Sequence, residues 1–363
     1  MAFSSLRTVS FRNLSDSEVD LRGKDIFLVG ENGQGKSNFL EALYFCSYAS
    51  SFRGVRDRDM AKTGEKGFSA GVSMDNSFYS AVNIVFGEGQ KKVALDGKRL
   101  EDRKELLSVL PCIIFCHEDM DFVSGTPERR RWFFDQTRSL WDGIYLDDLR
   151  RYRYVLKNRS ALLKNSSSSE TSFTLDALDS QMALYGLELV KKRKEIAEEF
   201  SSVFEPLYRE ISGIGGIRVK YSPSWKHDDV DSVIAFLKEK RESDVLMSQS
   251  QTGPNRDRYI FTCEGEDFSA KASTGQRRLL ALLLRTAQTR VFSEKTGKKP
   301  VLLLDDVLLE LDGEKRRKFL ELMPDYEQAF FTFLPIEPYE NYLKPGTLVY
   351  TVSQGQLERR KAS

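Results

Sequence analysis

Residues 25–38 read Asp25-Ile26-Phe27-Leu28-Val29-Gly30-Glu31-Asn32-Gly33-Gln34-Gly35-Lys36-Ser37-Asn38, an apolar run that breaks at Gly30 and gives way to helical spacing at Phe39, Leu40, Leu43 and Tyr44. That change of period across a glycine-rich break predicts strand, loop, helix. Within it, Gly30 to Ser37 matches GxxxxGKS at every fixed position, in the flanking context in which the pattern cradles phosphate. The glycines let successive backbone N–H groups converge on a phosphate chain, and the following helix adds the positive end of its dipole. On this reading Gly30, Glu31, Asn32, Gly33, Gln34, Gly35, Lys36, Ser37 and Asn38 form the cradle. Lys36 bridges the β- and γ-phosphates of a nucleotide, and Ser37 ligates Mg²⁺. An incidental glycine-rich turn is the plainer alternative, and the flanks weigh against it.

The partner segment is Val301 to Asp306, VLLLDD, a short continuous apolar run of the kind that forms a strand buried on both faces. An acid at the carboxyl end of such a strand points into the crevice where open α/β sheets bind ligands. Asp305 is the expected Mg²⁺ partner, and Asp306 is placed to polarise an attacking water, with the shorter reach of an aspartate. Read alone, the two carboxylates are equally well loop or capping residues. Together the two motifs define an ATP or GTP site.

A third segment, Ser273-Thr274-Gly275-Gln276, precedes the helical run RRLLALLLRTAQTRVF. Locally it is a capping box, in which Ser273 accepts from the N–H of Gln276 and the Gln276 side chain reaches back. It also presents a hydroxyl and free N–H groups that suit the γ-phosphate of a nucleotide held by a second subunit. Position does not choose between these readings.

Around these motifs lies a chain of 363 residues with 55 Lys+Arg, 54 Asp+Glu, a net charge of +1, 40% hydrophobic and 30% charged residues. This excludes fibrous and disordered classes, and the length suits two domains or one domain carrying an insertion. Neutral bulk charge excludes indiscriminate coating of nucleic acid, so any such contact needs a local patch. Residues 128–164 supply one: ten basic residues against five acidic, with Trp132, Phe133, Tyr152 and Tyr154 interleaved. Arg129, Arg130, Arg131, Arg151 and Arg153 are the candidate DNA-phosphate contacts, and a solvated helix face is the equally weighted alternative. Four unevenly spaced cysteines fit a reduced cytoplasmic protein. Cys112 and Cys116 beside His117 read as apolar thiols on a buried strand, since a structural zinc needs more ligands than lie nearby. No run reaches a membrane span.

The fold expected is α/β. Strands are predicted in LRTVSF, DIFLVG, GFSAGVSM, FYSAVNIVF and KKVALDGKRL, the last with an Asp96-Gly97 turn. From about Pro127 the pattern becomes helical, with a polar linker at 165–172. A heptad-like stripe follows at Leu178, Met182, Tyr185, Leu189, Ile196, Phe200, Val203 and Leu207, ending near Pro206. A hairpin around Glu264 to Glu266 marks the return of β character. The predicted organisation is one α/β domain split into 1–125 and 250–363, interrupted by a helical, arm-like insertion at 126–249.

The order GENGQGKSN, STGQ before an apolar helix, then LLLDDVLLELD resembles ABC-type ATPases. More narrowly the chain resembles the RecF family of bacterial recombinational repair and replication proteins, related to the SMC ATPases. SFRN at Ser10 to Asn13, GTPERRRWFFD at Gly125 to Asp135, VLKNRSALLK at Val155 to Lys164 and TGPNRDR at Thr252 to Arg258 carry that likeness. The resemblance implies an ABC-type P-loop head with an antiparallel β layer, Arg12 and Asn13 near the nucleotide, and Ser273, Gly275 and Gln276 in a signature acting across an ATP-dependent homodimer. Leu311-Asp312 would be the connecting loop, and Glu118 and Asp119 align with a nucleotide-sensing loop. It also implies ATP with Mg²⁺, slow DNA-stimulated hydrolysis as a switch, and binding of single-stranded and linear double-stranded DNA or gap junctions. RecR is the implied partner, with RecO as a second, and the site of action is the cytoplasm. The departures are Asn255 for a usual histidine, Arg258 for a usual aspartate, and Phe333 for a usual threonine, which leaves Thr332 as the candidate there. The competing class is a transporter ATPase subunit, against which stand the 236 positions between Ser37 and Ser273. A full SMC-type chain would carry hundreds of coiled-coil residues that are absent here.

Overall fold

The computed structural model describes residues 2–75, 78–164 and 169–360. They form two compact units, Met1–Asp119 with Ser293–Ser363, and Met120–Phe292.

The first unit is built on two six-stranded sheets. In one, five parallel strands run in the order Leu348–Ser353, Asp25–Val29, Gln328–Phe333, Val301–Leu304 and Cys112–Phe115, with Gln356–Arg359 added antiparallel at the edge. Four of these strands, Asp25–Val29, Cys112–Phe115, Val301–Leu304 and Gln328–Phe333, are buried at every residue. Their continuous apolar runs, DIFLV and VLLL among them, are those of strands covered on both faces. The second sheet is antiparallel, in the order Ser17–Asp20, Ala2–Val9, Phe68–Asp75, Ala81–Gly87, Gln90–Leu95 and Lys98–Arg99. Its last hairpin turns at Asp96-Gly97, both at positive φ, as the dipeptide predicts.

The helix Lys36–Tyr48 joins one buried core with residues of both sheets: Phe39, Leu40, Leu43 and Phe45 with Ile26, Leu28 and Phe330, and with Phe3, Phe68 and Ile84. Burial of ten of its thirteen residues explains why its sequence is apolar nearly all round. Phe11 holds the arrangement edge-on to Phe68, with ring centroids 5.2 Å apart.

The second unit contains the helices Pro127–Ser139, Gly143–Lys164, Ser169–Ser212 and Thr274–Thr296, the last continuing into the first unit, and a three-stranded antiparallel sheet of Glu266–Asp267, Arg258–Cys263 and Ile217–Ser222. Of the polar linker, residues 165–168 lie outside the described residues, and the helix is already present at Ser169. The same helix continues through Pro206 to Ser212, beyond the end expected from the proline. Leu207, Tyr208 and Ile211 extend its buried stripe past that point, so packing outweighs the lost backbone bond. The strand RYIFTC, expected with the split α/β domain, pairs instead with Ile217–Ser222, and residues 250–292 belong to the second unit. Cys112 and Cys116 are buried, as the sequence predicts for apolar thiols on and beside a core strand. No described helix is long and apolar enough to cross a membrane.

Candidate nucleotide-binding site

At the carboxyl ends of the parallel strands, the loop after Val29 turns at Gly33 (φ +77°) and Gly35 (φ +116°) into the helix starting at Lys36. At Gly35 a Cβ would sit 3.1 Å from Asn13 Oδ1, and at Gly30 one would sit 2.3 Å from the carbonyl oxygen of Val352. Gly30 is therefore required by the close approach of the Val352 backbone, and Gly35 by its left-handed φ. The Lys36 ammonium donates to the carbonyls of Gly30 (2.6 Å) and Glu31 (3.1 Å), which holds it against the loop with its side chain almost wholly buried.

Ser37 Oγ donates to Asp305 Oδ1 at 2.7 Å, so residues 268 positions apart meet at the first turn of the helix. Burial pushes the Asp305 carboxyl up to about 6, with the Ser37 hydrogen bond pulling down and the charge of Asp306 adding to the rise. A buried carboxylate beside a hydroxyl is an all-oxygen donor pair that a hard divalent cation satisfies, its remaining positions going to water and phosphate. Asp306 has φ +55°, a left-handed conformation that costs a non-glycine residue energy and needs support. Thr332 gives that support: its hydroxyl accepts from the Asp306 N–H and donates to Asp306 Oδ1, both at 2.7 Å.

Because the Asp305 carboxyl titrates near 6 in the folded chain and near 3.8 otherwise, the native state holds an extra proton between those values. Stability contributed by this group is thus lost as pH rises through that window, and the cost is fully present above about 6. Asp305→Asn is expected to raise the stability of the nucleotide-free chain at pH 7.5 by on the order of 1 kcal/mol and to change little at pH 4. Equal denaturation midpoints for the two proteins at pH 7.5 would contradict this.

The loop is braced by segments distant from it in sequence, some within the quoted motifs and some outside them. Asn13 donates to the Gly33 carbonyl (3.1 Å) and accepts from Asn38 (2.8 Å). The backbone N–H groups of Gln354 and Gly355 donate to the side chain and carbonyl of Gln34, which makes Gln34 a brace of the loop. Gly355 is needed there, since a Cβ would fall 1.9 Å from the Asn13 carbonyl oxygen. Arg12 binds the fully buried Glu41 through two bonds of 2.9 Å, and Arg53 joins the same carboxylate at 3.2 Å. Ser51 also donates to Glu41. Arg53 further donates to Asn38 (2.8 Å) and lines the same cleft as Lys36, Ser37 and Asp306. Neither Arg53 nor Glu41 stood out in sequence, because an isolated arginine after a helix has no periodic signature.

Other candidates fall as follows. Asp119 accepts from the Cys116 N–H (3.0 Å), while Glu118 is exposed and acts on Asp305 through its charge. Asp312 caps the helix Gly313–Leu322 through the Lys315 N–H (2.9 Å). In the second unit both capping-box bonds form: Ser273 N–H to Gln276 Oε1 at 2.8 Å, and Gln276 N–H to Ser273 Oγ at 3.2 Å. A Cβ at Gly275 would meet nothing within 4 Å, so the fold itself places no demand for glycine there. Asn255 accepts from the Tyr152 hydroxyl (2.7 Å), and Arg258 is exposed.

The basic patch is narrower than its count suggested. Arg130 donates to the carbonyls of Val123 and Tyr259, and Arg131 to that of Asp257, so both guanidinium groups are engaged in the fold. Arg138 and Arg159 are buried against carboxylates. Of the five candidate contacts Arg129, Arg151 and Arg153 are exposed, each within 4 Å of one acid, and Arg150, Lys157 and Lys164 of the same run are exposed as well. Sequence reading passed over Arg218 and Lys220, and noted Arg258 only as a departure from the family pattern. Strand register puts these on one face of the three-stranded sheet, with no ion pair among the described residues.

A GKS loop on a parallel sheet, an acidic strand end two strands away and an antiparallel layer across the shared helix define an ABC-type P-loop ATPase head. Residues 2–354 match the family model described as RecF/RecN/SMC N terminal domain. The chain is 40% identical to the DNA replication and repair protein RecF of Treponema pallidum over 96% of its own length and 99% of the relative's. It is 30% identical to RecF of Clostridium perfringens over 99% and 100%. It superposes on a solved structure of the recombination mediator protein RecF with ATP at a TM-score of 0.89, 28% identity, covering 99% of this chain and 97% of the other. The Pyrococcus furiosus Smc head with an extended coiled coil shares the fold at a TM-score of 0.56 and 15% identity. The chain belongs to the RecF family.

Proposed function

We propose that this chain is an ATP-binding, slowly ATP-hydrolysing switch of recombinational DNA repair and replication in the cytoplasm, working with DNA, RecR and RecO. The observation that carries the reading is the meeting of Ser37 with Asp305, beside an Asp306 held by Thr332. In it Lys36 and the loop N–H groups bind the phosphates, and Ser37 with Asp305 hold Mg²⁺, which neutralises charge on the phosphate oxygens. Relatives named for DNA replication and repair, and a solved RecF bound to ATP in the RecFOR pathway, support the same reading. A split ATPase head with an arm-like insertion is part of this proposal, with residues 250–292 grouped in the inserted unit.

Two copies would close around ATP, each supplying Ser273, Gly275 and Gln276 to the phosphates held by the other. Support comes from Gly275, whose missing side chain serves nothing in the fold and leaves room for a partner's approach. Because only the triphosphate joins both halves, ATP stabilises the pair and hydrolysis releases it. Solution mass at fixed concentration is expected to double with ATP and Mg²⁺ and to stay monomeric in Ser273→Arg. A monomer throughout, including in an Asp306→Asn variant, would sink the clamp.

Exposed Arg129, Arg151 and Arg153, together with Arg218, Lys220 and Arg258, would bind DNA phosphates without reading bases. The slope of log affinity against log salt should therefore fall by about 0.9 for each duplex phosphate that charge reversal leaves without its cation. An unchanged slope after reversing all six would remove this surface from consideration.

A further inference from the structure

The aromatic residues interleaved with arginine along residues 128–164 have separate fates in the fold. Phe133 is fully buried, Tyr152 is buried with its hydroxyl donating to Asn255 Oδ1 (2.7 Å), and Trp132 stacks on Phe122 with ring centroids 5.7 Å apart. Tyr154 differs: it is 68% exposed, and its ring meets no other ring or cation among the described residues. It lies in the middle of the helix Gly143–Lys164, whose period places Arg150, Arg151, Lys157 and Asn158 three or four positions away on the same face. Side chains at those separations have Cβ atoms about 5–6 Å apart, so exposed cations flank the ring on both sides along the axis. The acids of this helix, Asp147 and Asp148, pair with Arg150 (3.9 Å) and Arg151 (3.7 Å), and Lys157 has no ion pair among the described residues. Arg153, at the edge of the face, lies 3.6 Å from Asp135, which Arg193 ties to Asp257, the residue before Arg258. These contacts bring the helix face to the start of the strand that carries Arg258. Cations that hold a phosphate chain bring its bases close, and an unpaired base has a π-face that an exposed ring can cover. Bases inside a duplex already stack on one another and offer no such face.

We propose that Tyr154 is a stacking platform for an unpaired base, with Arg150, Arg151 and Lys157 on the flanking phosphates, so that this helix face holds single-stranded DNA. This rests on the DNA-binding reading above and adds to it a preference that charge alone does not give. Phosphate contacts serve single and double strands alike, whereas only an unpaired base can lie flat against the ring. Because every base has a π-face, the contact distinguishes the state of the strand and not its sequence.

The test uses the full chain with ATP and Mg²⁺, an oligothymidine and a blunt duplex of equal length, and the variants Tyr154→Ala and Tyr154→Phe. The side chain stands in solvent, so its truncation leaves the fold in place. Tyr154→Ala is expected to weaken oligothymidine binding about 10-fold while duplex affinity stays within two-fold of wild type. The slope of log affinity against log salt should not change, because no cation is removed. Tyr154→Phe should bind both DNAs as wild type does, since the ring and not the hydroxyl makes the contact. Oligothymidine affinity within two-fold of wild type in Tyr154→Ala, an equal loss for the duplex, or a phenylalanine variant as weak as the alanine one would overturn the role of Tyr154 alone. A wild-type chain with no salt-dependent affinity for either DNA would overturn the DNA-binding reading itself.

Discussion

Asp306→Asn is expected to lower ATP turnover by about 10²–10³-fold while leaving ATP affinity nearly unchanged. Asparagine fills the same volume and can still accept from the Thr332 hydroxyl, the contact that holds the side chain at 2.7 Å. What it lacks is the negative charge that orients and polarises water as charge moves toward the transferred phosphate. That charge matters in the transition state more than in the bound complex, so the loss falls on kcat and spares binding. Single-turnover hydrolysis and nucleotide titration on the same preparation separate the two quantities. Turnover within a factor of three of wild type would show that Asp306 is only a residue supporting its own strained backbone. Because bound ATP persists in this variant, it is also the background in which ATP-dependent pairing is most readily observed.

Arg193→Met is expected to destabilise the chain by about 3–5 kcal/mol. The Arg193 guanidinium is almost fully buried and bonds Asp135 through both its Nε and one terminal nitrogen (2.9 Å each). Its other terminal nitrogen bonds Asp257 (2.8 Å) and the Pro254 carbonyl (2.6 Å). Burial is the largest influence and opposes its charge, but Asp135, Tyr145 and Tyr259 together hold the guanidinium well above its ordinary range. Methionine would leave two buried carboxylates facing each other, still tied to Tyr145 (2.6 Å), Tyr221 and the Ser224 N–H (2.8 Å). An uncompensated buried charge costs far more than the loss of a surface pair. The exposed Arg151, which lies 3.7 Å from Asp148, provides the contrast: Arg151→Met should cost below about 0.5 kcal/mol. Denaturant midpoints for the two variants that differ by less than 1 kcal/mol would refute this view of the second unit.

The phosphate loop, the acidic strand and the capping box were legible because each is a local pattern. GENGQGKS needs only its own backbone to form a nest, VLLLDD needs only to be apolar enough for the middle of a sheet, and Ser273 and Gln276 cap each other across three residues. The Asp96-Gly97 hairpin was legible for the same reason. Charge counting along residues 128–164 succeeded less well, because net charge does not report which arginines the fold engages. Arg130 and Arg131 bond carbonyls, and Arg138 and Arg159 are enclosed by acids, while Arg218, Lys220 and Arg258 come together only through strand pairing.

Long-range partners were beyond the reach of any single segment. Nothing in RYIFTC tells which strand it joins, since a short apolar run is equally suited to either sheet, and only its register with Ile217–Ser222 assigns it to the second unit. Nothing near Pro206 reveals that Leu207, Tyr208 and Ile211 find a core deep enough to carry the helix onward. Motifs thus announced the chemistry of the phosphate loop from residues adjacent in sequence. The supports of that chemistry, Glu41 between Arg12 and Arg53 and Thr332 under Asp306, come from segments tens to hundreds of positions from one another. Their meeting depends on burial and strand order, which exist only once the chain has closed on itself.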